Sequence, residues 1–164
     1  MTTHSGKGFK PVIRMLPVLG LIPCAANART HSQAQVAQIA ASIAEFGFTN
    51  PVLIDRENTI LAGHGRVAAA MILEMASVPC VRLEHMSPAQ KRAYVIADNK
   101  LALNAGWDDS ILAEELEALV AGDLDFDIGV IGFEVAEIDA LVDGLTPEED
   151  GDPADDLQPE QAAA

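Results

Sequence analysis

The stretch Ile60-Leu61-Ala62-Gly63-His64-Gly65-Arg66, running straight into Val67-Ala68-Ala69-Ala70-Met71-Ile72-Leu73, constrains the fold more than any other part of the chain. An apolar run meets a glycine-bracketed turn and continues at helical spacing, with an arginine in the first turn. Such a strand-turn-helix corner aims backbone N–H groups and the positive end of a helix dipole at one point. Gly63 and Gly65 are expected to let the backbone turn sharply and approach a bound group. Arg66 adds a planar fork of donors suited to phosphate or carboxylate. An anion is the ligand this corner fits; a tight turn with a solvated arginine is the alternative.

The rest of the pattern gives a mixed α/β (α+β) domain. Val12–Leu16 is expected as a first strand. Thr30 or Ser32 caps a helix running to Glu45, with Val36, Ile39, Ala40 and Ile43 on one face and Gly47 as its stop. Val52–Ile54 and Thr59–Ala62 form two short strands around the turn Asp55–Asn58, and Arg56 is exposed there. The helix after the glycine corner runs to about Met75, followed by a strand over Val78–Leu83 that buries Cys80. Ser87, Pro88 and Gln90 open a capped helix with Tyr94, Ile96, Ala97, Leu101 and Leu103 as its apolar pattern; Lys91 and Arg92 read as plain surface charges. Trp107-Asp108-Asp109 starts another helix, with the tryptophan as a core plug or staple, and Glu134–Val142 is a final short one. The order β-α-β-β-α-β, then helices, predicts a small mixed sheet of about four strands with packed helices. Residues 1–10 are expected as a disordered tail, 11–86 as the α/β core and 87–145 as a helical extension of the same domain. Residues 146–164, rich in Pro, Asp, Glu, Gln and Ala, are expected as an acidic disordered tail or linker.

Charge is divided along the chain. All ten Lys and Arg lie within residues 1–100, which carry +4, whereas residues 101–164 carry −19. A net charge of −15 opposes a duplex lying across the whole protein, but the basic part contains the glycine corner. Cys24 and Cys80 form no C-x-x-C pair, so neither a zinc site nor a disulfide framework is implied. No apolar run is long enough to span a membrane. Lys7, Lys10 and Arg14 before Met15–Pro23 and Ala26-Asn27-Ala28 imitate a secretory signal, but Pro17 and Pro23 interrupt the apolar part; a cytoplasmic location is the expectation.

Taken together, Asn27-Ala28-Arg29, the Ile39–Asp55 segment, the Gly63–Arg66 corner, Val78–Leu83 and Lys91–Asn104 resemble the N-terminal domain of the ParB family, in the ParB/sulfiredoxin fold superfamily. The resemblance covers about residues 11–145 and is nearest the "ParB-like nuclease domain" branch found with DNA methyltransferases in phages and mobile elements. In that family a G-E-R-R turn binds a nucleotide triphosphate, an E-N-x-x-R segment helps hold the metal ion and phosphates, and an upstream Q-P-R segment faces the nucleotide. Gly63, Gly65 and Arg66 match the first motif, with His64 in place of its glutamate and Gly65 in place of its first arginine. Asp98 and Asn99 are similar to the E-N pair, Lys100 is the nearest cation to the missing arginine, and Asn27 and Arg29 correspond to the upstream segment.

The resemblance therefore implies a nucleotide- or phosphate-binding module of DNA processing or modification. Its binding residues would be Asn27, Arg29, Gly63, His64, Gly65, Arg66, Asn99 and Lys100, with Asp98 and Asn99 on Mg²⁺. The implied cofactors are Mg²⁺ and a nucleoside triphosphate, CTP or ATP. Implied partners are DNA, bound weakly and without sequence specificity, and a DNA methyltransferase in cis or in trans. An active enzyme of the same fold (a nucleotidase, nuclease or small-molecule kinase) stays open, with His64 and Asp98 as catalytic residues and Glu45 and Asp55 as the other bases in sight. So does a non-catalytic protein-interaction adaptor. A sulfiredoxin is excluded, because its catalytic cysteine would stand where His64 is.

Overall fold

A computed structural model describes residues 8–144; most of the expected N-terminal tail and all of the 146–164 tail lie outside the described residues. Strand β1 (Ile13–Pro17) is followed by a 3₁₀ turn (Val18–Gly20) and helix α1 (Gln33–Phe46). Strands β2 (Val52–Ile54) and β3 (Ile60–Ala62) lead into α2 (His64–Ile72), then β4 (Ser77–Arg82) and α3 (Pro88–Asn104). Helix α4 (Asp109–Ala121), a 3₁₀ turn (Ile128–Ile131) and α5 (Val135–Asp143) complete the described chain. The sheet has the order β1-β4-β2-β3: β4 pairs antiparallel with β1 and parallel with β2, and β2 pairs antiparallel with β3. This is the small mixed four-stranded α/β sheet that the sequence pattern predicts.

Two compact units divide the chain. One runs up to Gly106 and includes Phe126–Gly132; the other comprises Trp107–Asp125 and the chain from Phe133 on. The division at Gly106 thus falls inside the 87–145 stretch. In the first unit, one face of the sheet buries Val52, Ile54, Ile60, Val78 and Cys80 with Val67 and Ala70 of α2. The other face buries Leu61, Val81 and Leu83 against Val95 of α3. Val36 and Ala40 of α1 pack with Ala69 of α2. Fully buried side chains such as Ile54 each contribute about 1.5–3 kcal/mol. The second unit pairs α4 with α5, and Ala113, Leu116 and Ile138 are buried.

Capping follows the sequence closely. Ser32 accepts from the Gln35 N–H at the start of α1, and Gly47, at φ +85°, ends it. Ser87 and Gln90 form a reciprocal capping box at the start of α3. Helix α2 is shorter than expected, because Glu74 turns to φ +54° after Leu73.

Four expectations are corrected. Asp55 is not a base in waiting. It is buried, its Oδ1 accepts from the Glu57 and Thr59 N–H groups at 3.0 and 2.9 Å, and its Oδ2 lies 3.2 Å from Lys91 Nζ. Lys91 is accordingly a partner of that turn rather than a plain surface charge. Arg82 holds the same turn by donating to the carbonyls of Asp55 and Arg56 and to Asn58 Oδ1, each at 2.7 Å. Trp107 is 70% exposed, its ring centroid 5.9 Å from that of Phe133, so it plugs no core. Along α3 only Val95 is buried; Ile96, Leu101 and Leu103 are exposed, because the sheet covers one narrow stripe of this helix. No helix among the described residues is long and apolar enough to cross a membrane. The apolar stretch that imitates a signal forms β1 and the 3₁₀ turn after it.

Candidate functional site

The corner between β3 and α2 forms as its glycines and apolar flanks require. Ile60–Ala62 are buried, so the chain leaves the sheet at a fixed point, and Gly63 reverses it at φ +106°, ψ 21°. That left-handed conformation is open to glycine without strain. Gly63 caps α2 with no side chain, so the first-turn N–H groups face outward without a side-chain acceptor. Gly65 does not share in the turn; it is a packing position. Its φ is not positive, it is buried, and an added Cβ would lie 3.0 Å from both His31 Cε1 and Ile39 Cδ1. It is small so that α1 and α2 can pack together, and Gly63 alone makes the turn.

A cleft of about 360 Å³ opens over this corner. Asn27, Arg29, Gly63, His64, Gly65, Arg66, Asp98 and Asn99 all line it, so three segments far apart in sequence meet at one place. Lys100 does not. It is exposed and lies two residues beyond Asp98, about 200° around the helix at 3.6 residues per turn. His31, Gln35, Ile39, Asn50 and Ala102 join the lining without having been singled out from the sequence. His31, just ahead of the Ser32 cap, is linked at 3.1 Å to Gln35 in the first turn of α1, a contact for which the four-residue spacing of two polar side chains was the local signal.

Within the cleft each polar group has a defined geometry. His64 Nε2 accepts the Cys24 backbone N–H at 3.1 Å, so its ring hydrogen is on Nδ1. Burial, reinforced by the neighbouring His31, holds the His64 pKa below its usual value. Arg29 Nη1 donates to Asn99 Oδ1 at 3.2 Å, and Asn99 Nδ2 donates to the Val95 carbonyl at 2.8 Å. Asn27 brackets the backbone of Arg29, accepting its N–H at 3.2 Å and donating to its carbonyl at 3.1 Å. Asn27 thus positions the loop that presents Arg29.

Arg66 is half-buried. Its Nη2 donates to the Pro51 carbonyl at 3.1 Å, and its Nε is the one buried side-chain polar atom without a partner among the described residues. Burial pushes the guanidinium below its usual pKa, and the charge of Asp98 and the phenol of Tyr94 oppose that drop. Tyr94 donates to Asp98 Oδ1 at 3.3 Å; burial, with the Asp98 charge beside it, raises the Tyr94 pKa. The arrangement can therefore hold an anion: two guanidinium groups, an imidazole N–H and uncapped helix N–H groups surround the cleft, with one carboxylate at its rim. Among the described residues no group of three or more His, Cys, Asp or Glu is arranged around a metal position.

Comparison with known proteins gives the same fold. Residues 3–99 match the ParB N-terminal domain, and residues 110–164 match the ParB-methyltransferase HTH domain. The ParB-like nuclease domain-containing protein YnaK of Escherichia coli (strain K12) is 55% identical over 76 residues, covering 46% of this chain and 87% of that protein. The C-terminally truncated chromosome-partitioning protein ParB from Caulobacter crescentus, complexed with CTP-gamma-S, superposes with a TM-score of 0.58 at 21% identity. That match covers 67% of this chain and 63% of the partitioning protein, so this chain spans less than two thirds of it. Sulfiredoxin from Arabidopsis thaliana aligns with a TM-score of 0.44 at 19% identity, over 52% of this chain and 98% of the enzyme. With well over half of its length matched to the family and a relative more than half identical, the chain belongs to the ParB N-terminal domain family.

Proposed function

We propose that the cleft over the Gly63–Arg66 corner binds the phosphates of a nucleoside triphosphate, within a module of DNA processing or modification. The observation that carries this reading is the convergence of Arg29, His64 and Arg66 on an uncapped helix start in one cleft, in a chain whose net charge is −15. The unpartnered Arg66 Nε adds a buried donor whose desolvation a phosphate oxygen would offset. The Caulobacter protein of the same fold is complexed with a CTP analogue, which supports CTP as the first nucleotide to test. Asp98 would hold Mg²⁺ through a carboxylate oxygen, with phosphates and water completing its shell. Asn99 suits that part less well, since its oxygen accepts from Arg29 and its amide faces the Val95 carbonyl. The ion would supply charge neutralisation for the phosphates.

Binding is favoured over catalysis by the state of His64. With Nε2 accepting from Cys24 and its hydrogen on Nδ1, the ring can donate to a phosphate oxygen but has no free lone pair with which to act as a base. A nuclease is the second reading, and the relative's description as a ParB-like nuclease domain protein is what supports it. The match of residues 110–164 to a ParB-methyltransferase HTH domain supports DNA and a DNA methyltransferase as partners.

The test is calorimetric titration of CTP, ATP, GTP and ADP, each with Mg²⁺, into wild type and Arg66→Lys. The variant keeps the charge but loses the fork that bonds Pro51 and faces the cleft, so at least about a tenfold loss of affinity is expected. Saturable binding with the same affinity in the variant would remove Arg66 from the site. Absence of binding by any of the four would leave the nuclease reading to be assayed.

A further inference from the structure

We propose that a second groove, on the sheet near β1, is an anion site that takes a phosphate-bearing nucleotide unit. The strand registers put its chemistry on one face: Arg14 is opposite Cys80, Ile54 is opposite Arg82, and Cys80 and Arg82 are two apart on β4. Lys10 joins them from just before β1, and together these residues line a groove of about 390 Å³. It shares no lining residue with the cleft over α2.

Three cationic side chains meet there against one carboxylate, that of Glu84. Among the described residues neither Lys10 nor Arg14 has an ion-pair partner; the pairs present join Lys91 to Asp55 and Glu57. Arg82 donates only to neutral oxygens, two backbone carbonyls and Asn58 Oδ1, so its charge is also uncompensated. In a chain with 25 acidic residues, three unpaired cations along one concave wall make a local field of the opposite sign. The floor is apolar, formed by Leu16, Ile54 and Cys80. At the rim the Phe9 and His85 rings stack on each other, centroids 4.4 Å apart and tilted by 33°, and the outer face of this aromatic pair offers a base a ring to stack on. Cations for phosphate beside an aromatic surface for a base are the two halves of nucleotide recognition on single strands. The inference is independent of the function proposed for the first cleft.

The experiment uses the full chain and fluorescence anisotropy of a short labelled oligothymidylate, comparing wild type with the double variant Lys10→Glu/Arg14→Glu. Both side chains are exposed and without ion-pair partners, so the fold should stand, and a circular dichroism spectrum checks it. Lys10→Gln/Arg14→Gln serves if charge reversal prevents folding. The expected result is saturable binding by wild type, weakened at least about tenfold in the variant, with a salt slope shallower by about 1.4 for two lost single-strand contacts. Nucleotide titrations of the first cleft should be unchanged by the same variant. Competition with free thymidine monophosphate separates the sources. Displacement at concentrations comparable to the oligonucleotide identifies a free nucleotide as the occupant, and displacement only at large excess identifies a strand; both support the site. Equal affinity of variant and wild type, or no saturable binding by wild type, overturns it.

Discussion

Asp55 and His64 illustrate how differently two polar residues of one domain use their burial. Burial pushes the Asp55 carboxyl up, but the Thr59 N–H, the Lys91 ammonium and the Glu57 N–H together more than reverse this and hold it below its usual value. A depressed carboxyl stabilises the fold above its unfolded pKa of about 3.9, and that stability is lost as pH falls from there through the lower folded value. Asp55→Asn should therefore lower stability at neutral pH by about 1–3 kcal/mol in urea unfolding and flatten the loss below about pH 4. His64 has the opposite chemistry and the same sign of pH dependence. Its folded pKa is depressed, so the neutral ring is favoured and its full stability is present above about pH 6.5. As pH falls below that value the unfolded chain takes up the proton first and stability declines. In His64→Gln, where an amide oxygen can accept from Cys24, thermal unfolding between about pH 5 and 7 should lose that decline. The identity of both residues was legible in the sequence, but their partners were not. Lys91 is 36 positions from Asp55 and Cys24 is 40 from His64, separations at which no local pattern operates.

The elements that form the site come from unambiguous local signals. Ser32, Gly47, Ser87 with Gln90, and Asp108 set the ends of α1, α3 and α4 where capping chemistry places them. The two glycines of the α2 corner differ in a way that substitution can separate. Gly63→Ala places a Cβ at φ +106° and 2.9 Å from Arg66 Nη2, so it should cost about 1–3 kcal/mol and weaken triphosphate binding by displacing the guanidinium. Gly65→Ala pushes against His31 and Ile39 instead, so its cost of about 1–3 kcal/mol should appear as a lower melting temperature with the triphosphate affinity less affected. Parallel melting and calorimetry of the two variants check the distinction. Helix α3 shows where periodicity overreached. Its apolar residues at 96, 101 and 103 are exposed, because a short sheet covers only the stripe around Val95.

For the whole molecule, the cleft belongs entirely to the first unit, since every residue lining it lies between Asn27 and Ala102. A fragment ending at Gly106 should keep its triphosphate affinity in calorimetry. It should also melt at a lower temperature, because it loses Phe126–Gly132, including the Phe126 ring 5.9 Å from Phe46. The acidic excess, by contrast, is concentrated beyond residue 100, and it gave no hint that residues 110–164 match an HTH family. Composition reports net charge over a stretch, whereas a family match depends on the order of residues within it. By itself the sequence determined the strands and helices and the glycine-bracketed corner that exposes a helix start, because these depend on neighbours within a few residues, while the structure assigned the left-handed turn to Gly63 alone. The tertiary structure alone decided that Arg29 and Asn99 meet, that Asp55 is a structural carboxylate, that Lys100 is not among the residues lining the cleft and that Lys10, Arg14 and Arg82 share a groove. Those outcomes depend on sheet order and helix rotation, which bring together side chains that no local preference connects.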